Sequence, residues 1–495
     1  MKKMSCHIAV VWLVLGLVGC KKDLQVDNNN EPDFDQVYSN GDDLENLSSG
    51  LYNTYFNCVN SFGGSYVMLG VASDNATCSW NNAAMWDMSM EPRKSWDNSP
   101  NYGDEAVTKL HFDEMYSVIN TASNILKAIA KGVDVGVGGE KNDQIRAFCK
   151  FGQGISYGSL ALFFDKAFIV DENNSMPGAT IDSAVDYTKV AEASLSYLDE
   201  AIALCNNDFI IPKEWLGTAD DFTNDDLKKL CNSFAARIMS NMPRNKTELA
   251  AVNWAKVKAY ADGGITSDFT IYMEGWAKWY ASGADFLTTP GWGKVDMYVV
   301  HLLDPAQPQH WDDDPDFPMP PESINPPDER MLTDFEYSGT NWFKPERGYY
   351  HYSNYRYKRY DGSFALGTGP VPELMLSEND CYRAEARAYL NDLTGAADII
   401  NAGTRTTRGN LPDVAANLDE IVQALHHERH IELYISGAGL QYYEMRKQNL
   451  LQKGTPLHWP LPARTLETFS VPRPFYTFGG VANADGLNTS NGGWR

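Results

Sequence analysis

Residues 115–129, MYSVINTASNILKAI, decide the fold class of this 495-residue chain. Their apolar side chains recur at steps of three and four: Met115, Val118, Ile119, Ala122, Ile125, Leu126 and Ile129. This spacing follows the 3.6-residue period of an α-helix and places the apolar groups on one face. The stretch therefore predicts an amphipathic helix whose apolar face packs against other helices.

The same period recurs on both sides of this helix. Before residue 265 it predicts helices over 42–55, 143–164, 190–204, 227–238 and about 252–262, the last ended by Gly263-Gly264. After residue 372 it predicts helices over 373–390, 396–405 and 418–434. Gly152, Gly154 and Gly158 indicate close helix packing. The pattern predicts a mainly α fold of helix pairs in series, although no strict repeat period is present.

The segment between about 265 and 372 has a different composition. Proline, glycine, aspartate and aromatic residues dominate, as in HWDDDPDFPMPPESINPPDER at 310–330, and no helical period persists. Long irregular stretches inside a domain are usually functional or disordered, and the aromatic content argues against disorder. We expect ordered loops with short strands, for example between Tyr349 and Tyr360. Residues 451–495 are irregular as well.

The N-terminus has the marks of an export signal. Lys2 and Lys3 precede an apolar run over 8–18, which is too short to span a bilayer. The following Leu17-Val18-Gly19-Cys20 resembles a bacterial lipobox. We expect a lipoprotein signal peptide over 1–19, lipidation of Cys20 and a polar tether over 20–40. The alternative is an ordinary secretory signal with a chance cysteine.

Composition narrows the class of partner. The formal net charge of −24 makes nucleic acid an improbable partner. No later stretch is long enough to span a membrane. The cysteines beyond Cys20 are widely and irregularly spaced, so neither a disulfide framework nor a CxxC metal site follows. Cys205, Cys231 and Cys381 fall within helical patterns and are expected to be buried free thiols.

Several strings resemble the SusD/RagB family of outer-membrane lipoproteins of Bacteroidetes. They occur in the family's order and cover nearly the whole chain: Cys20-Lys21-Lys22-Asp23, Asp43-Leu44-Glu45 with Gly50-Leu51-Tyr52, residues 115–124, Ala384-Glu385-Ala386 with Ala396-Ala397 and Ile400-Asn401, residues 428–433 and residues 456–462. One departure is Ser436-Gly437-Ala438-Gly439, where the family commonly has E-G-x-R. This difference resembles a subfamily variant.

The resemblance implies a tetratricopeptide-like helix-pair scaffold that carries a variable ligand-binding region. It divides residues 41–495, as one SusD-like domain, into a helical scaffold over 41–264 and 373–450, a ligand-binding loop region over 265–372 and an irregular segment over 451–495. It also implies capture of a glycan at the cell surface, anchoring in the outer membrane, and a SusC-like TonB-dependent transporter as partner. No catalytic residue and no cofactor are expected.

Exposed aromatic side chains are the best candidates for glycan contacts. Sugars have apolar CH faces, and tryptophan presents a large, rigid apolar area to them. The candidates lie in two zones without core periodicity: Trp80, Trp86 and Trp96 in the first, and Trp276, Trp292, Trp311 and Trp342 in the second. Trp279 also lies in the second zone. We expect two or three of these rings to line a glycan site, the alternative for each being a structural packing role.

Metal chemistry finds weaker support in the sequence. His426 and His430 have the spacing of one helical turn, but Glu428 does not complete an H-E-x-x-H motif, so a packing role is favoured for these residues. Asp312, Asp313, Asp314 and Asp316 could offer oxygen ligands to calcium. They lack the glycine and distal glutamate of an EF-hand loop, and a solvated acidic loop is the favoured interpretation.

Three alternatives to a glycan-binding lipoprotein stay open. A secreted glycan hydrolase would need two catalytic carboxylates, which cannot be picked from 65 acidic residues. A binder of peptides or glycoproteins would share the anchor and the scaffold. A two-lobed solute receptor would need alternating strands and helices, against which the helical runs argue.

One structural contact is expected within the scaffold. Glu385 lies among alanines in a predicted helix, and Arg405 and Arg429 occur in the neighbouring motifs. We expect at least one buried carboxylate–guanidinium pair among these helices.

Overall fold

The computed structural model describes residues 37–78, 82–176, 178–310, 320–339, 353–480 and 493. The first half of the chain is a run of helices joined by short loops. They are α1 (Gly41–Ser49), α2 (Leu51–Val59), α3 (Ser65–Ala72), α4 (Met85–Ser89), α5 (Ala106–Ala130), α6 (Asn142–Phe163), α7 (Tyr187–Leu204), α8 (Lys213–Leu216), α9 (Asn224–Asn241), α10 (Lys246–Ala250) and α11 (Trp254–Asp262).

The second half combines short helices with a final group of longer ones. The short helices are α12 (Ser282–Thr288), α13 (Met297–Leu303), α14 (Arg330–Asp334) and α15 (Asp361–Phe364). The final group comprises α16 (Leu376–Tyr389), α17 (Leu393–Ala402), α18 (Thr404–Thr407), α19 (Leu418–Ile431), α20 (Leu440–Lys447) and α21 (Ala463–Thr468). Single 3₁₀ turns lie at Val137–Gly139 and Ile181–Ser183.

The strands of the described residues form two-stranded antiparallel pairs. β1 (Ala76–Cys78) pairs with β7 (Gly293–Val295), β2 (Lys166–Ala167) with β3 (Val185–Asp186), and β4 (Ile210–Ile211) with β5 (Phe222–Thr223). β6 (Phe269–Glu274) pairs with β10 (Thr368–Leu374), and β8 (Phe335–Tyr337) with β9 (Tyr355–Tyr357). The β1–β7 and β6–β10 ribbons join distant parts of the chain, and the ribbons do not build a common sheet.

The long helices pack in series, which gives the fold its mainly α, helix-pair character. α5 packs on α6, α6 on α7, and α7 on α9; the series continues through α11 to α16, which contacts α17 and α19. Close approach depends on glycine in α6: a Cβ on Gly154 would lie 2.6 Å from Leu198 Cγ, and one on Gly158 would clash with Ile238 Cδ1. The expected glycine-mediated packing is thus confirmed.

Sequence periodicity located the long helices well and the short ones poorly. The middle region was expected to lack helices, yet α12–α15 lie there; helices of four to seven residues are too short to display a 3.6-residue period. The helix expected over 373–390 begins at Leu376, because Thr368–Leu374 pairs with β6. The helix expected over 396–405 is divided at Gly403. The strand expected between Tyr349 and Tyr360 is confirmed as β9.

The expected buried ion pair is present. Glu385 and Arg429 are both buried, with Arg429 Nη2 2.6 Å from Glu385 Oε2. Lys447 Nζ donates to the same oxygen at 2.9 Å, and Ser240 Oγ donates to it at 2.7 Å. Cys205, Cys231 and Cys381 are buried free thiols, as expected, and so are Cys58 and Cys149.

Some predictions lie outside the described residues. They are the signal peptide and lipidation site at Cys20, most of the tether, Trp80, Trp311, Trp342 and the acidic run from Asp312 to Asp316. Within the described part of the chain, no helix is long and apolar enough to cross a membrane.

Candidate functional site

The ribbon formed by β6 and β10 presents one apolar face to the core and one face to solvent. Along β6 the side chains of Phe269, Ile271 and Met273 are buried, while Tyr272 is 43% exposed and Glu274 is also exposed. This is the period-two alternation of a strand with one covered face. Opposite Tyr272 and Glu274 stand Pro370 and Thr368 of β10, both exposed.

A tight turn directly after β6 places Trp276 at the surface. Gly275 and Trp276 both have positive φ, 66° and 62°, and the Gly275 N–H donates to Gly367 O at 2.8 Å. A Cβ on Gly367 would lie 2.9 Å from the Trp276 ring, so the indole rests directly on the backbone there. A non-glycine residue with positive φ is uncommon, and such backbone strain often accompanies a functional position.

The Trp276 ring is rigidly supported yet open to solvent. It is 58% exposed, and its edge contacts the Tyr280 ring at a centroid distance of 6.3 Å. The Tyr280 hydroxyl in turn donates to Asp285. We call Tyr272, Trp276 and the polar groups beside them, Glu274 and Thr368, the Trp276 surface. It combines an exposed indole and an exposed phenol with charged and hydroxyl groups.

Trp292 is a second exposed indole in the same region of the sequence. It lies between Gly291 and Gly293, is 47% exposed, and rests on Phe286 at a centroid distance of 5.4 Å. Phe286 packs on Phe62 at 4.5 Å. One side of the Trp292 ring is therefore supported by core aromatics and the other side is accessible.

The remaining described tryptophans divide between half-buried and buried positions. Trp86 is half-buried in α4. Trp96 is only 2% exposed and packs edge-on against Tyr102 at 5.1 Å. Trp96 therefore has no free face for a sugar in this structure, which argues against the ligand-binding role expected for it. Its backbone N–H donates to Phe478 O. Trp279 is also buried, against Phe56 and Tyr52.

Sequence reasoning did not single out Tyr272. The signal was present, because FTIYME at 269–274 alternates between apolar and more polar residues, as a half-buried strand does. Tyrosine on the outer face of such a strand is exposed by register. The partner strand, TGPVPEL at 368–374, contains two prolines, which are uncommon in strands, so its sequence does not predict a strand.

Two cavities near the C-terminal helices have no tryptophan among the described residues that line them. One, of about 320 Å³, lies beside α16–α19 and includes Arg359, Arg408 and Glu432 in its lining. These charges already bind one another: Arg359 Nη1 and Arg408 Nη1 lie 2.8 Å and 2.5 Å from Glu432 carboxylate oxygens. Burial alone would raise the pKa of Glu432, but the arginines outweigh it and hold that pKa below its usual range. This cavity is therefore lined by an internally neutralised network.

The second cavity, of about 810 Å³, lies between α13, α19 and α20. Its lining includes Tyr298, His426, His427 and Glu444, which are aromatic, imidazole and carboxylate groups close together. Neither cavity overlaps the Trp276 surface. An extended ligand would meet the exposed rings on an open surface, whereas a small polar ligand or ion could enter the cavities.

Solved structures share this fold. A SusD superfamily protein from Bacteroides vulgatus ATCC 8482 matches with a TM-score of 0.59 and 14% identity, over 88% of this chain and 98% of the other. A SusD-like carbohydrate binding protein from Bacteroides fragilis NCTC 9343 matches with a TM-score of 0.59 and 16% identity, over 83% and 86%. A SusD-like carbohydrate binding protein from Bacteroides vulgatus ATCC 8482 matches with a TM-score of 0.55 and 17% identity, over 84% of this chain and 83% of the other.

No protein-family model and no curated protein sequence matches the chain. The structural matches establish the SusD-like fold, and with it the helix-pair scaffold that the sequence resemblance implied.

Proposed function

We propose that this protein binds a glycan at the cell surface without cleaving it. The observation that carries the proposal is Trp276, an indole held against Gly367 with its other face open, beside exposed Tyr272 on a scaffold of SusD-like fold. Structural neighbours described as SusD-like carbohydrate binding proteins support the same class of ligand.

The chemistry of the Trp276 surface suits a sugar. A pyranose stacks its CH face on an aromatic ring while its hydroxyls need donors and acceptors at the rim. Glu274 and Thr368 supply a carboxylate acceptor and a hydroxyl on the exposed face that carries Tyr272. Because the ring is already fixed by the turn, little side-chain entropy is lost when a ligand stacks on it.

Calorimetric titration of the mature protein with a glycan panel tests the proposal. Trp276→Ala is expected to weaken binding by roughly 1–3 kcal/mol, by analogy with base–aromatic stacking. Tyr272→Ala and Trp292→Ala test the other exposed rings. Leu418→Ala is the matched control, since Leu418 is an exposed apolar residue on scaffold helix α19. Circular dichroism confirms that each variant is folded.

Two results would contradict this assignment. If no glycan in the panel binds, or if folded Trp276→Ala, Tyr272→Ala and Trp292→Ala all bind like the parent, the Trp276 surface and Trp292 are not the site. Trp80, Trp86, Trp311 and Trp342 then become the next candidates. If the glycan is shortened during the titration, the hydrolase alternative is correct; if a peptide or glycoprotein binds and free glycans do not, the ligand class changes.

We further propose that Cys20 is lipidated and anchors the protein in the outer membrane. Cys20→Ser should abolish incorporation of labelled palmitate and remove the protein from the outer-membrane fraction. Cys6→Ser is the matched control, because Cys6 lies before the proposed cleavage point and should leave labelling unchanged. A Cys20→Ser variant that still labels and stays at the membrane would refute the anchor.

The same proposal includes transfer of the glycan to a SusC-like TonB-dependent transporter. The support is the resemblance of the sequence and the shared fold. Affinity purification of the lipidated protein from detergent-solubilised outer membranes should co-purify one such transporter in a defined ratio. Recovery of the protein alone under several mild detergents would argue for glycan capture without a bound transporter.

A further inference from the structure

Three potential metal ligands meet between the last two long helices. His426 and His430 lie one turn apart on α19, and Glu444 lies on α20. One nitrogen from each ring and one carboxylate oxygen all lie within 4.8 Å of one another. An H-E-x-x-H motif is absent from α19, as the sequence indicates, but the third group comes from the next helix and no local motif could reveal it.

Hydrogen bonding fixes which nitrogen of His430 faces Glu444. Asn75 Nδ2 donates to Tyr434 O at 3.3 Å, which leaves Asn75 Oδ1 to accept from His430 Nδ1 at 3.1 Å. In neutral His430 the proton is then on Nδ1, and Nε2 carries a lone pair. That Nε2 is buried, has no hydrogen-bond partner among the residues that the structure describes, and lies 3.6 Å from Glu444 Oε2.

Two electron-pair donors therefore face each other in the protein interior. A carboxylate oxygen and an unprotonated imidazole nitrogen repel one another unless a proton or a metal cation lies between them. His430 Nδ1 already directs the ring proton toward Asn75, so in the neutral ring no proton lies between Nε2 and Glu444. The second oxygen of Glu444, Oε1, is also buried and has no hydrogen-bond partner in the described part of the chain.

His426 is oriented in the complementary way. Its Nδ1 lies 2.7 Å from Glu444 Oε2, and its Nε2 lies 2.7 Å from the Tyr298 hydroxyl. If a metal ion takes Nδ1, the ring proton moves to Nε2 and donates to the Tyr298 oxygen. Each imidazole thus has its far nitrogen held by an acceptor, Asn75 or Tyr298, which is the outer-shell arrangement that metal-binding histidines use.

The distances and ligand types fit zinc. Two imidazoles and one carboxylate, with a fourth position open, form a recognised zinc ligand set with bonds of about 2.0–2.2 Å. Neighbouring ligands of such a tetrahedral ion are about 3.3 Å apart, against 3.6 Å between His430 Nε2 and Glu444 Oε2. The 2.7 Å contact of His426 would need to open by roughly half an ångström.

Access to this cluster is available from the surface. Tyr298, His426 and Glu444 line the cavity of about 810 Å³, which is wide enough to admit a hydrated ion and leave a water in the fourth position. His430 does not line the cavity and is fully buried behind these residues.

We propose that His426 Nδ1, His430 Nε2 and the Glu444 carboxylate bind one zinc-class divalent ion, with a water as fourth ligand. The ion would join α19 to α20 and, through Tyr298 and Asn75, to α13 and the end of α3. The role is a structural clamp on this part of the scaffold, independent of whether the Trp276 surface binds a glycan.

Metal binding to the chelator-treated, full mature protein tests the proposal. Zn²⁺ titration against a chromophoric competitor should give one tight site, and Co²⁺ should give the visible absorption of a low-coordinate site with nitrogen ligands. His430→Gln and Glu444→Gln should each weaken binding at least tenfold. His427→Gln is the matched control: His427 is on the same helix but binds Asp328, at 2.8 Å, and should leave affinity unchanged.

Stability gives an independent reading, because an ion that binds the folded state raises the melting temperature. Zn²⁺ should raise it in the parent and in His427→Gln, and not in His430→Gln or Glu444→Gln. The proposal is overturned if the parent shows no tight site and no Co²⁺ spectrum. This test uses the parent protein alone and does not depend on whether any variant folds. It is also overturned if His430→Gln binds like the parent, or if His427→Gln loses as much affinity.

Discussion

At the scale of single residues, the scaffold is held together by charged groups that are fully buried yet paired. Glu385 accepts from Arg429, Lys447 and Ser240, each on a different helix. Burial is the largest influence on Lys447 and lowers its pKa to about 8. Such a cluster specifies how α9, α16, α19 and α20 meet, because every alternative packing would leave a charge unpaired in the interior.

Glu385→Ala should destabilise the fold by about 3–5 kcal/mol, because it leaves Arg429 and Lys447 buried without their partner. Urea unfolding followed by circular dichroism measures the change. Glu192→Ala is the control, since Glu192 pairs with Lys189 on the exposed surface of α7 and surface pairs contribute about 0–1 kcal/mol. Equal effects of the two substitutions would show that the Glu385 cluster is not buried.

Asp165 should make stability fall as pH rises. Burial raises its pKa to about 7, against the opposing effects of Lys166 and the Tyr476 hydroxyl, which lies 3.0 Å away. Since the folded pKa exceeds the unfolded value of about 3.9, the folded state holds the proton more tightly, and stability declines between about pH 4 and pH 7.

Asp165→Asn removes this titration. The parent should lose stability from pH 4 to pH 8 and the variant should not. The difference in unfolding free energy, variant minus parent, should therefore be larger at pH 8 than at pH 4 by a few kcal/mol, since each pKa unit corresponds to about 1.4 kcal/mol. Denaturant curves at both pH values measure it. Exposed Asp220→Asn should show no such change, and a pH-independent difference for Asp165→Asn would refute the shifted pKa.

At the scale of elements, the central helix α6 determines how closely its neighbours approach. Nearly all of its side chains are buried, because α5, α7 and α9 pack around it. Gly154 and Gly158 face α7 and α9 at distances that exclude even a methyl group. The aligned glycines make this helix the axis of the N-terminal helix pairs.

Gly158→Ala should destabilise the protein by about 1–3 kcal/mol, the usual cost of forcing extra volume into a packed core. The new methyl group would displace Ile238. Gly362→Ala is the matched control: it lies in short helix α15 with no heavy atom near the added methyl, and should be neutral or slightly stabilising. Thermal melts distinguish the two, and a neutral Gly158→Ala would mean that α6 and α9 are farther apart.

At the scale of the whole molecule, aromatic residues serve two separate purposes. Trp96, Trp279 and Trp459 are buried and join loops to the helical frame, whereas Trp276 and Trp292 are exposed. Trp459 illustrates the first use: it stacks on Phe163 of α6 at 4.6 Å, with ring planes 6° apart, and so fastens the C-terminal segment to the central helix.

Trp459→Ala should cost about 3–5 kcal/mol, the range for removing a large ring from a core. Trp292→Ala should cost much less, because about half of that ring already contacts water. Melting temperatures of the two variants measure the difference. A Trp292→Ala variant as unstable as Trp459→Ala would assign Trp292 to the core and remove it from the glycan candidates.

Much of the fold follows from the sequence alone. The sequence predicts the helices at 115–129 and 190–204, and the burial of Glu385 with Arg429. A helix returns to the same side every 3.6 residues, so the residues on its buried face recur with that spacing in the sequence. The resemblance to SusD/RagB proteins extended this to the arrangement of the helix pairs. Such features depend on neighbours in the chain.

The surface and the candidate sites depended on the tertiary structure. Whether a tryptophan in an irregular segment is covered is decided by distant residues: Phe163 stacks on Trp459 and buries it, whereas Trp276 meets Gly367 on one side and stays exposed. His426 and His430 meet Glu444, while His426 also meets Tyr298 and His430 meets Asn75, which is 355 residues away in the chain. No local period encodes such meetings, because they arise only when the helices pack.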